Sequence, residues 1–363
     1  MNRRHNFNPG PAALPLEVLT QAREEAVEYG NRGMSLMEMS HRSPEVERMV
    51  EETRELLLGL LGLDDRYEAL FMAGGASAQF GFIPMNLASA EAPGNYVLSG
   101  SFAEKAYLEA MRAGAAVAAA SSKQTGWRAI PKLADIQLAE HAAYLHMTTN
   151  NTIEGTQLRE LPDVSANVPL IGDMTSDILS RPFDYARFGL IYASAQKNLG
   201  PAGVTAVIIR RDLIERSAKA DIPHIFRYDT FAQHDSLYNT PPVHAIWMMK
   251  LMLEWTRNQG SSEVLGERNA RKACLLYDAI DASGGFYEGI AAAENRSMMN
   301  ITWKLTDERL EASFLAQAEK NGFEGLAGHR SVGGLRASIY NAVPEESCAA
   351  LASFLREFVR NHG

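Results

Sequence analysis

Two stretches decide the fold: Val168-Pro169-Leu170-Ile171-Gly172-Asp173, and Leu190-Ile191-Tyr192-Ala193-Ser194-Ala195-Gln196-Lys197-Asn198-Leu199-Gly200-Pro201-Ala202-Gly203. Each opens on a short apolar run of strand length and passes into polar, glycine-punctuated chain. The first ends in an acid. The second carries a lysine 24 residues later, before a further apolar run at Val204–Ile209. Working outward, the same texture recurs. Tyr67–Met72 leads to Gly74-Gly75-Ala76-Ser77-Ala78 and a helix. Tyr96–Leu98 leads to Ser99-Gly100-Ser101-Phe102 and a helix. Ala142–His146 leads to the loop Thr148–Gly155. Strands alternating with loops and helices predict an α/β protein with a mostly parallel sheet covered on both faces. Open parallel sheets take ligands at the carboxyl ends of their strands, where these polar residues fall.

The flanks are organised differently. Pro9, Gly10, Pro11 and Pro15 punctuate an extended N-terminal arm, residues 1–15. Amphipathic patterns predict helices at Leu16–Tyr29 and Pro44–Leu61, the second with Ser43 as N-cap and Pro44 at its first position. A large domain is expected over 16–258. Beyond it, a small C-terminal α/β domain over 259–363 is expected from a helix (Glu263–Asp281), a strand (Met299–Leu305), a helix (Glu308–Lys320), a loop (Gly325–Arg330), a strand (Leu335–Ile339) and a last helix (Glu345–Arg360). The alanine-rich Ala115–Ala120 reads as structural. The Trp247-Met248-Met249 helix that follows Asn239-Thr240-Pro241-Pro242 reads as one that packs at an interface.

Composition narrows the function. A net charge of −9 over 363 residues argues against a nucleic-acid binder. Two cysteines, Cys274 and Cys348, give neither a disulfide framework nor metal-ligand spacing, so a reducing cytoplasm is expected and no metal. The basic N-terminus lacks an apolar signal-peptide core. No apolar run approaches the roughly 20 residues of a membrane span.

Residue by residue, the bland readings compete. Gly74–Ser77 is a tight turn or a phosphate cradle, since glycines admit close approach and a helix start offers free N–H groups. Phe102 is a core ring or a platform for a planar ligand. Thr152 caps its loop or donates to a ring oxygen. Asp173 alone would be a helix cap. Paired with Lys197 at the next strand end, it suits pyridoxal phosphate: the lysine amine condenses with the cofactor aldehyde, and the carboxylate keeps the pyridine nitrogen protonated. His41, Arg42, His329, Arg330 and Arg336 form short basic clusters that suit a substrate with several negative charges.

Seven segments together resemble the phosphoserine aminotransferases, in chain order and over nearly the whole length: Asn6–Ala12, Met39–Arg42, Gly74–Phe80, Asn151–Gly155, Gln196–Gly203, Tyr238–Pro242 and Gly333–Asn341. That family consists of fold-type I pyridoxal phosphate enzymes, homodimers with active sites at the subunit interface. The resemblance implies serine biosynthesis: reversible transamination of 3-phosphonooxypyruvate with L-glutamate to O-phospho-L-serine and 2-oxoglutarate. It leaves 4-phosphonooxythreonine, a pyridoxine precursor, open as a second substrate. It implies that Lys197 holds the cofactor and moves the Cα proton, and that Asp173 pairs with the ring nitrogen. Ala76, Ser77 and Gln196 would hold the cofactor phosphate, with Asn239 and Thr240 reaching it from the partner subunit. Thr152 would contact the ring hydroxyl, Arg336 the substrate α-carboxylate, and His41, Arg42, His329 and Arg330 the distal anion. Two departures stand out: Phe102 where many members carry Trp, and Ser77 where some carry Arg. A desulfurase of the same fold type needs a mobile cysteine, which neither Cys274 nor Cys348 provides. An alanine-using transaminase has no use for the second basic cluster. A non-catalytic ligand-binding protein on this fold stays open, and the absorbance of a lysine-bound cofactor separates it from the enzyme.

Overall fold

The computed structural model describes residues 3–363. Seven strands make the central sheet: β1 (Tyr67–Met72), β2 (Gly94–Leu98), β3 (Ala116–Ser121), β4 (Tyr144–Thr148), β5 (Leu170–Asp173), β6 (Phe188–Ser194) and β7 (Thr205–Arg210), in the spatial order β1-β7-β6-β5-β4-β2-β3. Pairing is parallel from β6 through β5, β4 and β2 to β3. Only β7 is antiparallel to its neighbours, β6 and β1. Strands β4, β5 and β6 are buried along their whole length, which is why they read as unbroken apolar runs rather than alternating ones.

Helices cover both faces. On one lie α1 (Leu16–Glu25), α2 (Pro44–Leu61) and α7 (Val243–Asn258), packed around Met49, Leu57, Ile191, Ile246 and Met249. On the other lie α3 (Gly75–Leu87) and α4 (Ser101–Ala113), over Phe80, Ile83, Ala106, Ile171 and Tyr192. The short α5 (Arg211–Ser217) and α6 (Tyr228–Gln233) close the far end of that layer. Ser43 caps α2 by accepting from the Val46 N–H, with Pro44 at the first helical position.

A second core gathers the C-terminal third. The three-stranded antiparallel sheet of β8 (Tyr287–Gly289), β9 (Asn300–Leu305) and β10 (Leu335–Ser338) packs with α8 (Ser262–Asp281), α9 (Glu311–Lys320) and α10 (Glu345–His362) around Trp303, Phe314 and Leu355. The N-terminal arm joins this core. His5–Asn6 pairs in parallel with Phe323–Glu324, and Phe7 is fully buried in it.

Some expectations need correction. The first helix stops at Glu25 rather than Tyr29. The Glu308–Lys320 pattern divides into a 3-10 turn at Glu308–Leu310 and α9 proper. The alanine-rich stretch is edge strand β3, half exposed, where short side chains suffice. Trp247, Met248 and Met249 do not wait for an interface. All three are buried in the chain's own core, because α7 lies across the sheet between α1 and α2. No helix among the described residues is long and apolar enough to cross a membrane.

Candidate active site

The carboxyl ends of β1, β2, β4, β5 and β6 converge on one cavity of about 260 Å³. Lys197 enters it from the β6–β7 connection, which is a hairpin. Ser194 and Thr205 are register partners, and the Ala195 N–H donates to Val204 at 3.0 Å, so the lysine projects from a short closed loop. Its ammonium donates to Thr152 Oγ1 at 2.6 Å. Burial pushes its pKa down to about 8, against the opposing attraction of Asp173. An amine lowered this far is free as the neutral nucleophile at mildly alkaline pH far more often than a surface lysine.

Asp173 ends β5 and is itself buried. Burial raises its pKa; the Thr175 hydroxyl, the Thr175 N–H at 3.0 Å and the charge of Lys197 pull it back. Arg336, on β10 of the C-terminal sheet, is 5 % exposed and donates through Nη1 to the Thr152 carbonyl at 3.1 Å. Phe102 is the second residue of α4, with Lys197 Nζ 6.0 Å from its ring centre. At the head of α3, Gly74 and Gly75 take φ of +96° and +68°, a turn open to glycine that presents the helix start and the Ala76–Ser77 backbone to the cavity. Gln196 and His329 complete this set. His329 is lowered by partial burial and by the nearby cations Arg336, Lys105 and Arg330.

The cavity therefore brings together Lys197, Asp173, Ala76, Ser77, Phe102, Thr152, Gln196, His329 and Arg336. It does not bring in the others. Arg42 lines a different groove, with His234 and Tyr238. Asn239 and Thr240 follow Tyr238 and are exposed, as is Arg330; His41 is half-buried beside Arg42.

Sequence reasoning missed other parts of the wall. Pro9 and Gly10 of the arm line the cavity, and a Cβ on Gly10 would stand 3.2 Å from Gln196 Cγ. The proline-rich punctuation signalled a turn there, but nothing signalled where it docks. Thr175 and Ser176 lie just past Asp173. Glu154 braces the loop below by accepting from the Ser101 N–H at 2.8 Å and its hydroxyl at 2.6 Å. Among the described residues, two that line the cavity hold buried polar atoms with no partner, Thr148 Oγ1 and Arg336 Nε. Buried groups of this kind are normally satisfied, so a polar ligand fits here.

A covered, mostly parallel sheet with a buried lysine and carboxylate at neighbouring strand ends is the architecture of a pyridoxal phosphate-dependent transferase. Residues 4–351 match the aminotransferase class-V family. A phosphoserine aminotransferase from Niallia circulans is 54% identical over 361 residues, 99% of each chain. The solved phosphoserine aminotransferase from Bacillus circulans subsp. alkalophilus superposes with a TM-score of 0.96 at 53% identity, covering 99% of each chain. The pyridoxal phosphate-bound phosphoserine aminotransferase from Trichomonas vaginalis gives 0.91 at 35% identity, over 98% of this chain and 100% of that one. The chain belongs to the phosphoserine aminotransferase family.

Proposed function

We infer that this chain transfers the amino group of L-glutamate reversibly to 3-phosphonooxypyruvate, giving O-phospho-L-serine and 2-oxoglutarate with pyridoxal 5′-phosphate as cofactor, a step of serine biosynthesis. The observation that carries the reading is Lys197: a buried amine of lowered pKa, aimed into a polar cavity beside a buried carboxylate, in a chain whose full-length relatives are phosphoserine aminotransferases.

The lining suits the cofactor. The start of α3 offers unpaired backbone N–H groups to a phosphate, with Ser77 and Gln196 beside it. Asp173 would meet the ring nitrogen and hold a proton on it. Thr152 orients the lysine amine, and Phe102 would lie against the ring. When bound, the cofactor supplies an electrophilic carbon for the amino group and an electron sink for the carbanion. The residues do the rest. Lys197 in its neutral form would take the Cα proton and return it across the amino nitrogen, to the carbon that the cofactor supplies. Arg336 grips the substrate α-carboxylate with its planar fork, which fixes the Cα–H bond toward Lys197.

The distal anion, a γ-carboxylate in one substrate and a phosphate in the other, meets His329 of the cavity, the exposed Arg330 next to it in sequence, and two residues that line no part of this cavity, His41 and Arg42. A second copy would supply them together with Asn239 and Thr240. A homodimer would also cover Tyr238, an exposed aromatic side chain that lines the same groove as Arg42. A cytoplasmic location is consistent with two unpaired cysteines.

Absorbance tests the assignment. The purified protein with cofactor should show a band at ~400 nm, as expected of a lysine-bound cofactor, and Lys197→Ala should lack it. Glutamate and phosphoserine should bleach that band, and alanine should not. A colourless protein would sink the enzyme reading; equal bleaching by alanine would sink the distal-anion assignment.

A further inference from the structure

Behind Asp173, on the side away from the cavity, lies a chain of buried polar groups that the reaction above does not use. Asp173 and Tyr192 are register partners across β5 and β6; Ile171 and His146 are register partners across β4 and β5. Register partners and alternate residues share a face, so His146, Tyr192 and Asp173 all project to the α3–α4 side of the sheet. His146 Nε2 lies 2.9 Å from Tyr192 Oη. Tyr192, reaching from β6 to His146 on β4, passes over Asp173 on the strand between them, and its hydroxyl pulls the acid toward the ionised form. His146 Nδ1 is buried with no partner among the described residues.

We propose that His146 and Tyr192 form a directed hydrogen-bond chain that supplies a donor to Asp173 and so keeps the proton on the cofactor's ring nitrogen. They are positioning residues for the known reaction, one and two steps removed from the cofactor.

The direction follows from counting protons. The ring of His146 is enclosed by Tyr96, whose centroid is 4.9 Å away, and by Tyr192 at 5.9 Å. Tyr144 stands behind, its hydroxyl 2.7 Å from that of Tyr96, and the Tyr228 hydroxyl adds to the field at Tyr192. None of these carries charge at neutral pH, and burial alone holds His146 at about 3, so it is neutral with one N–H. An orphaned N–H in the interior is rarer than an orphaned lone pair. The proton therefore sits on Nε2 and is donated to Tyr192 Oη. Tyr192 then has its own single proton free for Asp173. The reverse order would turn oxygen lone pairs toward a carboxylate. On the far side of Asp173 stand Lys197 and Asp177, both titratable and both part of its field. Removing the Tyr192 donor weakens the carboxylate as an anion, and the proton shared with the ring nitrogen moves toward the acid.

The inference rests on the cofactor assignment, whose failure would appear separately as a protein that binds no labelled cofactor. The experiment uses the holoenzyme loaded with cofactor carrying ¹⁵N at the pyridine position. In the unmutated enzyme the ¹⁵N resonance should lie in the protonated range. In Tyr192→Phe it should move toward the unprotonated range, with kcat down about tenfold and KM for glutamate unchanged. His146→Leu should move the resonance the same way by less, and His146→Gln, which retains an N–H donor, should restore part of it. A merely structural role would lower the thermal midpoint and cofactor affinity without moving the resonance. An unmoved resonance in Tyr192→Phe and His146→Leu overturns the proposal; if Tyr192→Phe does not fold, an unmoved resonance in His146→Leu is enough to do so.

Discussion

A lysine amine closed in by protein is held at a cost, and for Lys197 that cost has a sign and a pH window. The folded chain lowers its pKa from 10.5 to about 8. Below pH 8 both folded and unfolded chains carry the proton. Between 8 and 10.5 the unfolded chain binds a proton that the folded chain lacks, so stability rises with pH across that window. The comparison to make is the apoprotein against apo Lys197→Met, in which other titrating groups are common and cancel. The unmutated protein should gain on the variant by roughly 3 kcal/mol between pH 8 and 10.5, read as a narrowing or reversal of the difference in unfolding midpoints. A difference flat with pH would mean that the amine is not desolvated. At this scale the sequence shows a good deal: a strand-end acid and a strand-end lysine announce their chemistry by residue type. It does not show Thr175, whose hydroxyl and backbone N–H act on Asp173 only through the turn that follows β5, or Glu154, whose partner Ser101 lies 53 positions away.

Elements were legible where burial is uniform or caps are strong. Tyr67–Met72 and Pro44–Leu61 stand in the structure as the apolar run and the Ser43-Pro44 cap predict them. Edge strand β3 was not legible, because alanine favours no strand, and neither was the reversed direction of β7, because a six-residue apolar run carries no sign of its polarity. The turn into α3 was visible as Gly74-Gly75, but the two glycines are not equivalent. Both have positive φ. A Cβ on Gly74 would also meet the Ala78 Cβ at 2.6 Å, whereas one on Gly75 finds only Ser194 Oγ at an ordinary 3.6 Å. Gly75→Ala should therefore cost about 1–2 kcal/mol, the left-handed penalty alone. Gly74→Ala should cost more, since the clash adds to that penalty. Urea unfolding of the two apo variants measures this; equal losses would show that the turn relaxes away the contact.

At the scale of the whole molecule, the site is assembled from segments distant in sequence, and buried polar groups tie them together. Asn150, beside the cavity, donates to Asn300 at 2.7 Å. Asn300 donates to the Tyr340 hydroxyl at 3.1 Å, and that hydroxyl donates to the Pro9 carbonyl at 2.8 Å. The central sheet, the C-terminal sheet and the N-terminal arm are thus joined around Arg336, none of which the linear order of residues discloses. The same holds for the residues that stay outside. Arg42 and Lys197 open onto different cavities of one chain, so if Arg42 grips the distal anion it does so across a dimer. In a twofold dimer each site would then draw Lys197 from one subunit and Arg42 from the other. Arg42→Ala and Lys197→Ala should each be nearly inactive alone. When they are mixed, unfolded and refolded together, half the dimers by random pairing carry both defects in one shared site and an intact Lys197 and Arg42 in the other. Recovered activity should therefore approach about a quarter of the unmutated value. Mixing that restores nothing, while gel filtration shows a dimer, would place Arg42 outside the partner's site and leave the distal anion to His329 and Arg330.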